Sequence, residues 1–199
     1  MSPRTEKQYE AIREKKRGEI LNAALELFGH EGYHNTTISK VAKEAGISKG
    51  LVYNYFSSKE ELIRQIVDQG IEEMMEIVDP NKDGVLNQAE IQYFIEKMFE
   101  HLQNNTKFWK LYFSVLLQPA IYPLVKEKFD AIAQPVMTLA VNYFSSQGFD
   151  DPQMETFLFG ALLDGIGFHF IMDPEHYPLE AIKDQLLERY ANHSKKDST

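Results

Sequence analysis

The chain has 199 residues, a net charge of −9 and no cysteine, with 43% hydrophobic and 26% charged residues. This composition is typical of a folded globular protein, and the absence of cysteine excludes disulfides, thiolate metal sites and cysteine nucleophiles. The polar N-terminus has no apolar signal-peptide core and charged residues interrupt the most apolar stretch, so we expect a cytoplasmic protein without a membrane span.

The charge is distributed unevenly along the chain. Residues 1–60 have a net charge of +2, whereas the remainder has −11. The first part can approach a polyanion, while the rest would be repelled by one. An acidic body with a mildly basic head indicates two functional parts.

Hydrophobic periodicity predicts an all-α fold. After a flexible tail at 1–12, we expect helices at 13–30, 38–44, 49–55, 59–78, 88–104, 108–118, 122–147, 154–172 and 179–193, followed by a loose tail at 194–199. The fourth helix should stop at Asp79, because a residue before proline avoids the helical region, and Pro135 predicts a kink. Three helices at 13–60 form a small domain, and the long helix 59–78 joins it to a larger one at 61–193.

The two short helices at 38–44 and 49–55 have the pattern of a helix-turn-helix motif. Gly46 permits the sharp turn between them, and Ile47 fills its corner. The second helix is about the right width for the major groove of DNA. Gly50 lowers helix propensity, which is unexpected for packing but allows close approach to a duplex. The residues that remain outward on this helix are Lys49, Gly50, Tyr53, Asn54 and Tyr55.

The segment TTISKVAKEAGISKGLVYNYFSSKEEL, with ILNAALELFGHEGYHNTT before it, strongly resembles the DNA-binding domain of TetR/AcrR-type bacterial transcriptional regulators. The resemblance in sequence covers residues 13–75. Beyond them, the chain resembles the family only in its number of predicted helices and its length. It implies a homodimer that binds a palindromic operator in double-stranded DNA and responds to a small-molecule effector, most commonly as a repressor. No nucleophile–base spacing or nucleotide-binding loop supports an enzyme.

The resemblance also implies roles that local chemistry supports in this sequence. Hydroxyl and N–H groups at helix N-termini suit phosphate oxygens, and outward side chains suit base edges. We expect phosphate contacts from Thr37, Ser48, Tyr53 and Lys59, contacts at or near the bases from Lys49, Asn54 and Tyr55, and close approach at Gly50. The alternative for Tyr55, and more so for Phe56, is packing between helices.

The acidic body should contain the dimer interface and the effector pocket. In the resembled family the last two long helices pair with those of a second subunit, which here assigns Phe157, Ala161, Leu162, Gly165 and Phe168 to the interface. A buried core helix is the alternative. The middle helices of the family often enclose a pocket, for which the candidates are Phe94, Phe99, Trp109, Tyr112, Phe113, Met137 and Phe144. Such an aromatic set can also be plain core.

Residues 79–90, DPNKDGVLNQAE, match the calcium-binding loop of an EF-hand. The ligands would be Asp79, Asn81, Asp83, the carbonyl of Val85, and Glu90, with Gly84 at the turn. The alternative is structural, because Asn87 and Glu90 have the spacing of a capping box for the next helix. If calcium binds, it is the possible cofactor, and a calcium-sensing helical binding module is the second functional hypothesis.

Overall fold

The structure, a computed structural model, describes residues 6–192, and in this range every regular element is helical. The elements in order are α1 (Glu6–Glu31), α2 (Ile38–Glu44), α3 (Lys49–Tyr53), α4 (Lys59–Val78), α5 (Gln88–Asn104), α6 (Thr106–Leu116), α7 (Tyr122–Gln147), α8 (Pro152–Met172), α9 (Leu179–Leu186) and a π-helical turn, Leu187–Ala191. The all-α prediction is confirmed.

Several predicted helix boundaries differ from the structure, including the start of α8, which is Pro152 rather than residue 154. Helix α1 begins at Glu6, so residues 6–12 are helical rather than a flexible tail. Helix α3 ends at Tyr53, and α6 starts and stops two residues before its predicted limits. The last helix ends in a π-helical turn. Residues 1–5 and 193–199, where the remaining tail predictions fall, lie outside the described residues.

The contacts divide the chain into two units. The first comprises the described residues up to Gly70 together with Leu111–Lys126, and the second comprises Ile71–Lys110 and the described residues from Glu127 onward. By contacts, the chain divides within α4 at Gly70, and residues 111–126 group with the first unit. The predicted domain division at residue 60 stays a prediction. The sequence alone does not predict that residues 111–126 pack with the N-terminal unit.

The core of the first unit explains why residues 111–126 belong to it. Gln118 accepts a hydrogen bond from the N–H of Tyr33 at 2.7 Å and donates to the carbonyl of Phe28 at 2.9 Å. The Tyr112 hydroxyl donates to the carbonyl of Val67 at 3.3 Å. The apolar side chains buried in this unit include Ile20, Ala24, Phe28, Val41, Val52, Phe56, Leu62, Ile63, Ile66, Val115 and Ile121.

An aromatic cluster forms the core of the second unit. The ring of Tyr190 lies 4.7 Å from that of Phe159 and 5.6 Å from that of Phe144, measured between centroids. The Tyr143 hydroxyl donates to the carbonyl of Tyr190 at 2.6 Å. Burial raises the pKa of Tyr143 to about 12, and burial with a hydrogen bond to Glu155 raises that of Tyr190 to about 12.

Helix α8 is apolar on more than one side. Its inward residues Phe159, Ile166 and Phe170 are buried, yet only 33% of the most apolar 18-residue segment of the helix is buried. By length and composition it is the one described helix that could cross a membrane. An apolar helix with an exposed face of this kind is also what a subunit interface requires.

Candidate nucleic-acid interface and ligand cavity

Side-chain caps fix both helices of the helix-turn-helix. The Thr37 hydroxyl accepts from the N–H of Lys40 at 3.3 Å, and the Ser48 hydroxyl accepts from the N–H of Leu51 at 3.2 Å. Gly46 has φ of +64°, a left-handed conformation that glycine adopts without strain. Caps and turn together hold α3 in a single orientation relative to α2.

The outward face of α3 offers hydrogen-bond donors that the chain itself does not use. Tyr53 is 48% exposed, and Lys49 and Asn54 are exposed beside it. Within residues 6–192, no hydrogen bond engages the Lys49 ammonium, the Tyr53 hydroxyl or the Asn54 amide. The Lys49 ammonium lies 5.9 Å from the centroid of the Tyr53 ring. These groups suit phosphate oxygens and base edges.

Gly50 is exposed on the same face and has no packing reason to be glycine. A Cβ built at this position would meet no heavy atom within 4 Å, and its φ is not positive. Glycine in a helix costs about 1 kcal/mol relative to alanine. Packing within the protein therefore does not explain this glycine.

The two aromatic residues after α3 have different surroundings. Phe56 is 1% exposed and lies beneath the guanidinium of Arg17, 5.7 Å from ring centroid to Cζ. Tyr55 is half-buried, with its ring 6.5 Å from that of Phe56. The packing alternative is confirmed for Phe56, and the predicted DNA contact of Tyr55 stays a prediction.

Lys59 has a structural role that the sequence did not reveal. Its ammonium donates to the carbonyls of Tyr33 at 2.8 Å and Thr36 at 3.1 Å, and lies 4.2 Å from the centroid of the Tyr33 ring. These groups supply the negative partial charge that a cation in the first turn of a helix needs. The Tyr33 hydroxyl donates to Glu60 at 3.0 Å, and burial, with this bond, raises the pKa of Tyr33. The predicted phosphate contact of Lys59 stays a prediction.

The residues assigned to the dimer interface share the exposed side of α8. Phe157 is 53% exposed, Leu162 41% and Phe168 43%. Ala161 is exposed and Gly165 half-buried. Met154, Leu158 and Met172, which are also exposed, extend this surface along the helix. We call it the α8 face.

A cavity of about 490 Å³ lies within the second unit. Of the seven residues predicted for an effector pocket, Phe94 and Met137 line it. Phe99 and Phe144 are buried at 1% and 0% exposure in the core. The full lining is Val78, Leu86, Ile91, Phe94, Ala133, Val136, Met137, Ala140, Thr156, Phe157, Phe159, Gly160, Ala161, Leu163 and Asp164.

The other three predicted pocket residues also lie elsewhere. Trp109 is buried, with its ring 5.2 Å from that of Phe108 and 6.1 Å from that of His101. Tyr112 and Phe113 belong to the first unit. The prediction of the pocket from aromatic residues identified core residues instead, because large rings fill the space between helices. The cavity is lined instead by small residues, such as Ala133 and Ala140 of α7 and Gly160 of α8, which leave space between the helices.

The EF-hand-like segment forms a hydrogen-bonded loop. Asp79 Oδ2 accepts from the N–H of Gly84 at 3.1 Å, Asn81 Oδ1 from that of Asp83 at 2.9 Å, and Asp83 Oδ1 from that of Val85 at 2.8 Å. Gly84 has φ of +76°. The loop oxygens thus stabilise its turns.

The end of this loop is a helix cap. Asn87 Oδ1 accepts from the N–H of Glu90 at 3.1 Å, and Glu90 Oε2 accepts from that of Asn87 at 3.0 Å, so the predicted capping box is confirmed. Over the described range 6–192, no three His, Asp or Glu side chains are grouped to hold a metal ion. Calcium binding at Asp79, Asn81, Asp83, Val85 and Glu90 stays a prediction from the sequence.

Comparison with known proteins places the helix-turn-helix in a family. Residues 20–66 match the model of the bacterial regulatory proteins of the tetR family. The chain is 35% identical over 104 residues to the uncharacterised HTH-type transcriptional regulator YfiR of Bacillus subtilis, covering 52% of this chain and 49% of YfiR. It is 27% identical over 130 residues to the HTH-type transcriptional activator FasR of Mycolicibacterium smegmatis, covering 64% and 59%. The chain thus spans about half the length of these relatives.

Solved structures agree with the fold along most of the chain. NalD, the secondary repressor of the MexAB-OprM efflux pump in Pseudomonas aeruginosa, superimposes with a TM-score of 0.67 at 22% identity, covering 92% of this chain and 99% of NalD. The SmeT–triclosan complex gives 0.71 at 20%, covering 92% and 93%. FadR of Bacillus subtilis in complex with stearoyl-CoA gives 0.64 at 23%, covering 88% and 97%. Residues 20–66 therefore carry the DNA-binding segment of the tetR family of bacterial regulatory proteins, and the chain shares the fold of these solved structures.

Proposed function

We propose that this chain is a homodimeric, ligand-responsive transcriptional regulator that represses from a palindromic operator and is released by a small molecule with an apolar body. The observation that carries the DNA-binding part is the outward face of α3. It combines unused donors on Lys49, Tyr53 and Asn54 with a glycine, Gly50, that the fold does not need. A surface with these features suits a groove of duplex DNA.

Two further observations support the dimer and the ligand. The α8 face exposes apolar side chains in a continuous surface, which a second copy of this chain would bury. A two-fold dimer sets its two recognition helices about one turn of DNA apart, matching a palindrome. The cavity has a volume within the usual range of small-molecule sites, about 300–1,000 Å³. FadR and SmeT were solved with stearoyl-CoA and triclosan bound.

Release from DNA follows if the ligand favours a conformation that binds the operator poorly. The ligand then shifts the population of dimers by its difference in affinity for the two conformations. NalD, described as a repressor, and FasR, described as an activator, share similarity with this chain. The sign of regulation is therefore tested by transcription from the selected operator, which the free protein should lower.

The primary experiment is selection of bound sequences from random DNA, in calcium and in chelator. We expect enrichment of a palindrome in both conditions, with roughly 10³-fold or greater preference over random DNA. Equal affinity for all sequences would contradict the proposal, and enrichment only in calcium would favour the calcium-sensing alternative. Asn54→Ala should relax sequence preference at one position of each half-site, whereas Tyr53→Ala should weaken binding to all sequences.

Gly50→Ala separates DNA contact from folding. The added methyl meets no atom of the protein, so stability should stay equal or rise by up to about 1 kcal/mol. Affinity for the operator should nevertheless fall, because the methyl enters the space that a duplex would occupy. Gly18→Ala in α1, where a Cβ also meets nothing within 4 Å, is the matched control and should leave DNA affinity unchanged.

A further inference from the structure

The cavity of the second unit has one ionisable group in an apolar lining. Of its fifteen lining residues, thirteen have no polar side-chain group, and the other two are Thr156 and Asp164. The Thr156 hydroxyl donates to the carbonyl of Pro152 at 2.8 Å, so its donor is already used within α8. Asp164 is therefore the group that can set the charge preference of the cavity.

Asp164 has no partner in the described part of the chain. Its carboxylate forms neither a hydrogen bond nor an ion pair with any of residues 6–192. Asp164 is exposed to solvent, and partial desolvation by the surrounding chain raises its pKa above the usual value. A carboxylate without a counter-charge beside an apolar cavity can accept a cationic group from a ligand.

The electrostatics favour one class of ligand. An anionic head group within the cavity would repel Asp164, and a wholly apolar molecule beside Asp164 would displace water from the carboxylate without giving it a partner. A cation provides the missing charge and hydrogen-bond donors, and pairing in a partly dry site is stronger than in water. The apolar lining requires that the rest of the molecule be hydrocarbon-like.

We infer that the cavity binds an amphipathic amine, with its apolar body against α5, α7 and α8 and its ammonium group paired with Asp164. This inference rests on the proposed function, since it specifies the chemistry of the effector. It also predicts a preference against free fatty acids, which share the apolar body but have the opposite charge.

Three ligands with the same ten-carbon chain test the inference, namely decylamine, decanol and decanoate. Calorimetry on the full chain should show decylamine binding at least about tenfold more tightly than decanol, with decanoate weakest. Asp164→Asn should remove the advantage of decylamine while leaving decanol binding unchanged or tighter. Asp184→Asn, which alters an exposed carboxylate of α9 outside the lining, is the matched control and should keep the parental order.

A cavity-filling variant shows where the ligands bind. Gly160 lines the cavity, and a Cβ there meets nothing within 4 Å, so Gly160→Leu should fold and weaken decylamine and decanol binding together. Unchanged binding to this variant would overturn the inference, because the ligands would then occupy another surface. Equal affinity of the parent for decylamine and decanol, a preference for decanoate, or no binding of any of the three would also overturn it.

These outcomes are distinguishable from failure of the proposed function. Ligand binding is measured without DNA, and operator selection is performed without ligand. A specific operator together with no amine preference would overturn the ligand class alone. Amine binding in a protein that lacks a specific operator would overturn the regulator while retaining the cavity assignment.

Discussion

Lys49 and Lys59 of the first unit both lie over tyrosine rings, but within residues 6–192 only Lys59 forms hydrogen bonds through its ammonium group. Lys59 donates to two backbone carbonyls and lies 4.2 Å from the ring centroid of Tyr33. Lys49 lies 5.9 Å from that of Tyr53, and both of these residues are exposed. Both lysines lie over a tyrosine ring, yet Lys59 stabilises the fold whereas the Lys49 ammonium group is exposed to solvent.

Lys59→Met should lower the free energy of unfolding by about 1–2 kcal/mol. The substitution keeps the apolar stem but leaves the carbonyls of Tyr33 and Thr36 without their charged donor. Lys49→Met, the matched control, should change stability by less than about 0.5 kcal/mol, as exposed substitutions usually do. Urea denaturation measures both, and equal effects would contradict the structural role of Lys59.

At the scale of single elements, two glycines within helices have opposite surroundings. Gly18 in α1 faces open space. Gly70 in α4 is buried, and a Cβ built there would lie 2.6 Å from Cε2 and Cζ of Tyr112. The Tyr112 ring cannot move aside easily, because the residue is 5% exposed and its hydroxyl donates to the carbonyl of Val67. Close approach of α4 and α6 therefore requires glycine at position 70.

Gly70→Ala should lower the free energy of unfolding by about 1–2 kcal/mol. Overpacking costs about 1–3 kcal/mol, and the better helix propensity of alanine offsets up to about 1 kcal/mol of it. Gly18→Ala has the same propensity gain without the clash, so it should stabilise the protein. Thermal or urea unfolding of the two variants is compared directly, and a Gly70→Ala protein as stable as Gly18→Ala would contradict this account.

The first turn of α5 depends on its capping box. Asn87→Ala should lower the free energy of unfolding by about 1 kcal/mol, because the N–H of Glu90 loses its acceptor. Asn142→Ala, an exposed asparagine within α7, should be neutral or stabilising. Unfolding is measured in calcium and in chelator. A loss of stability that appeared only in calcium would contradict the capping account and would instead identify Asn87 as a metal ligand.

At the scale of the whole molecule, the sequence predicts those structural features that depend on interactions between residues close together in the chain. The helix-turn-helix follows from Thr37, Gly46 and Ser48, since caps and turns act over three or four residues. The cavity depends on small residues of α7 and α8, such as Ala140 and Gly160, whose proximity is a tertiary property. The return of residues 111–126 to the first unit depends on tertiary packing in the same way, and no local pattern reveals it.

The α8 face links the proposed dimer to the proposed ligand. Phe157 and Ala161 belong to this face and also line the cavity. A ligand in the cavity would therefore contact residues that the second subunit also contacts. Binding of a ligand and pairing of subunits then share side chains, which is a physical basis for coupling between the two equilibria.

The double variant Leu162→Glu/Phe168→Glu should convert the proposed dimer to a monomer without altering the cavity, since neither residue lines it. Each glutamate would place an unpaired carboxylate against an apolar partner surface, so the dimer dissociation constant should rise by about 100-fold or more. Leu117→Glu, at a position 71% exposed and outside the α8 face, is the control. Light scattering and operator binding are the measurements. A double variant that remained dimeric and kept its operator affinity would show that the subunits associate through another surface.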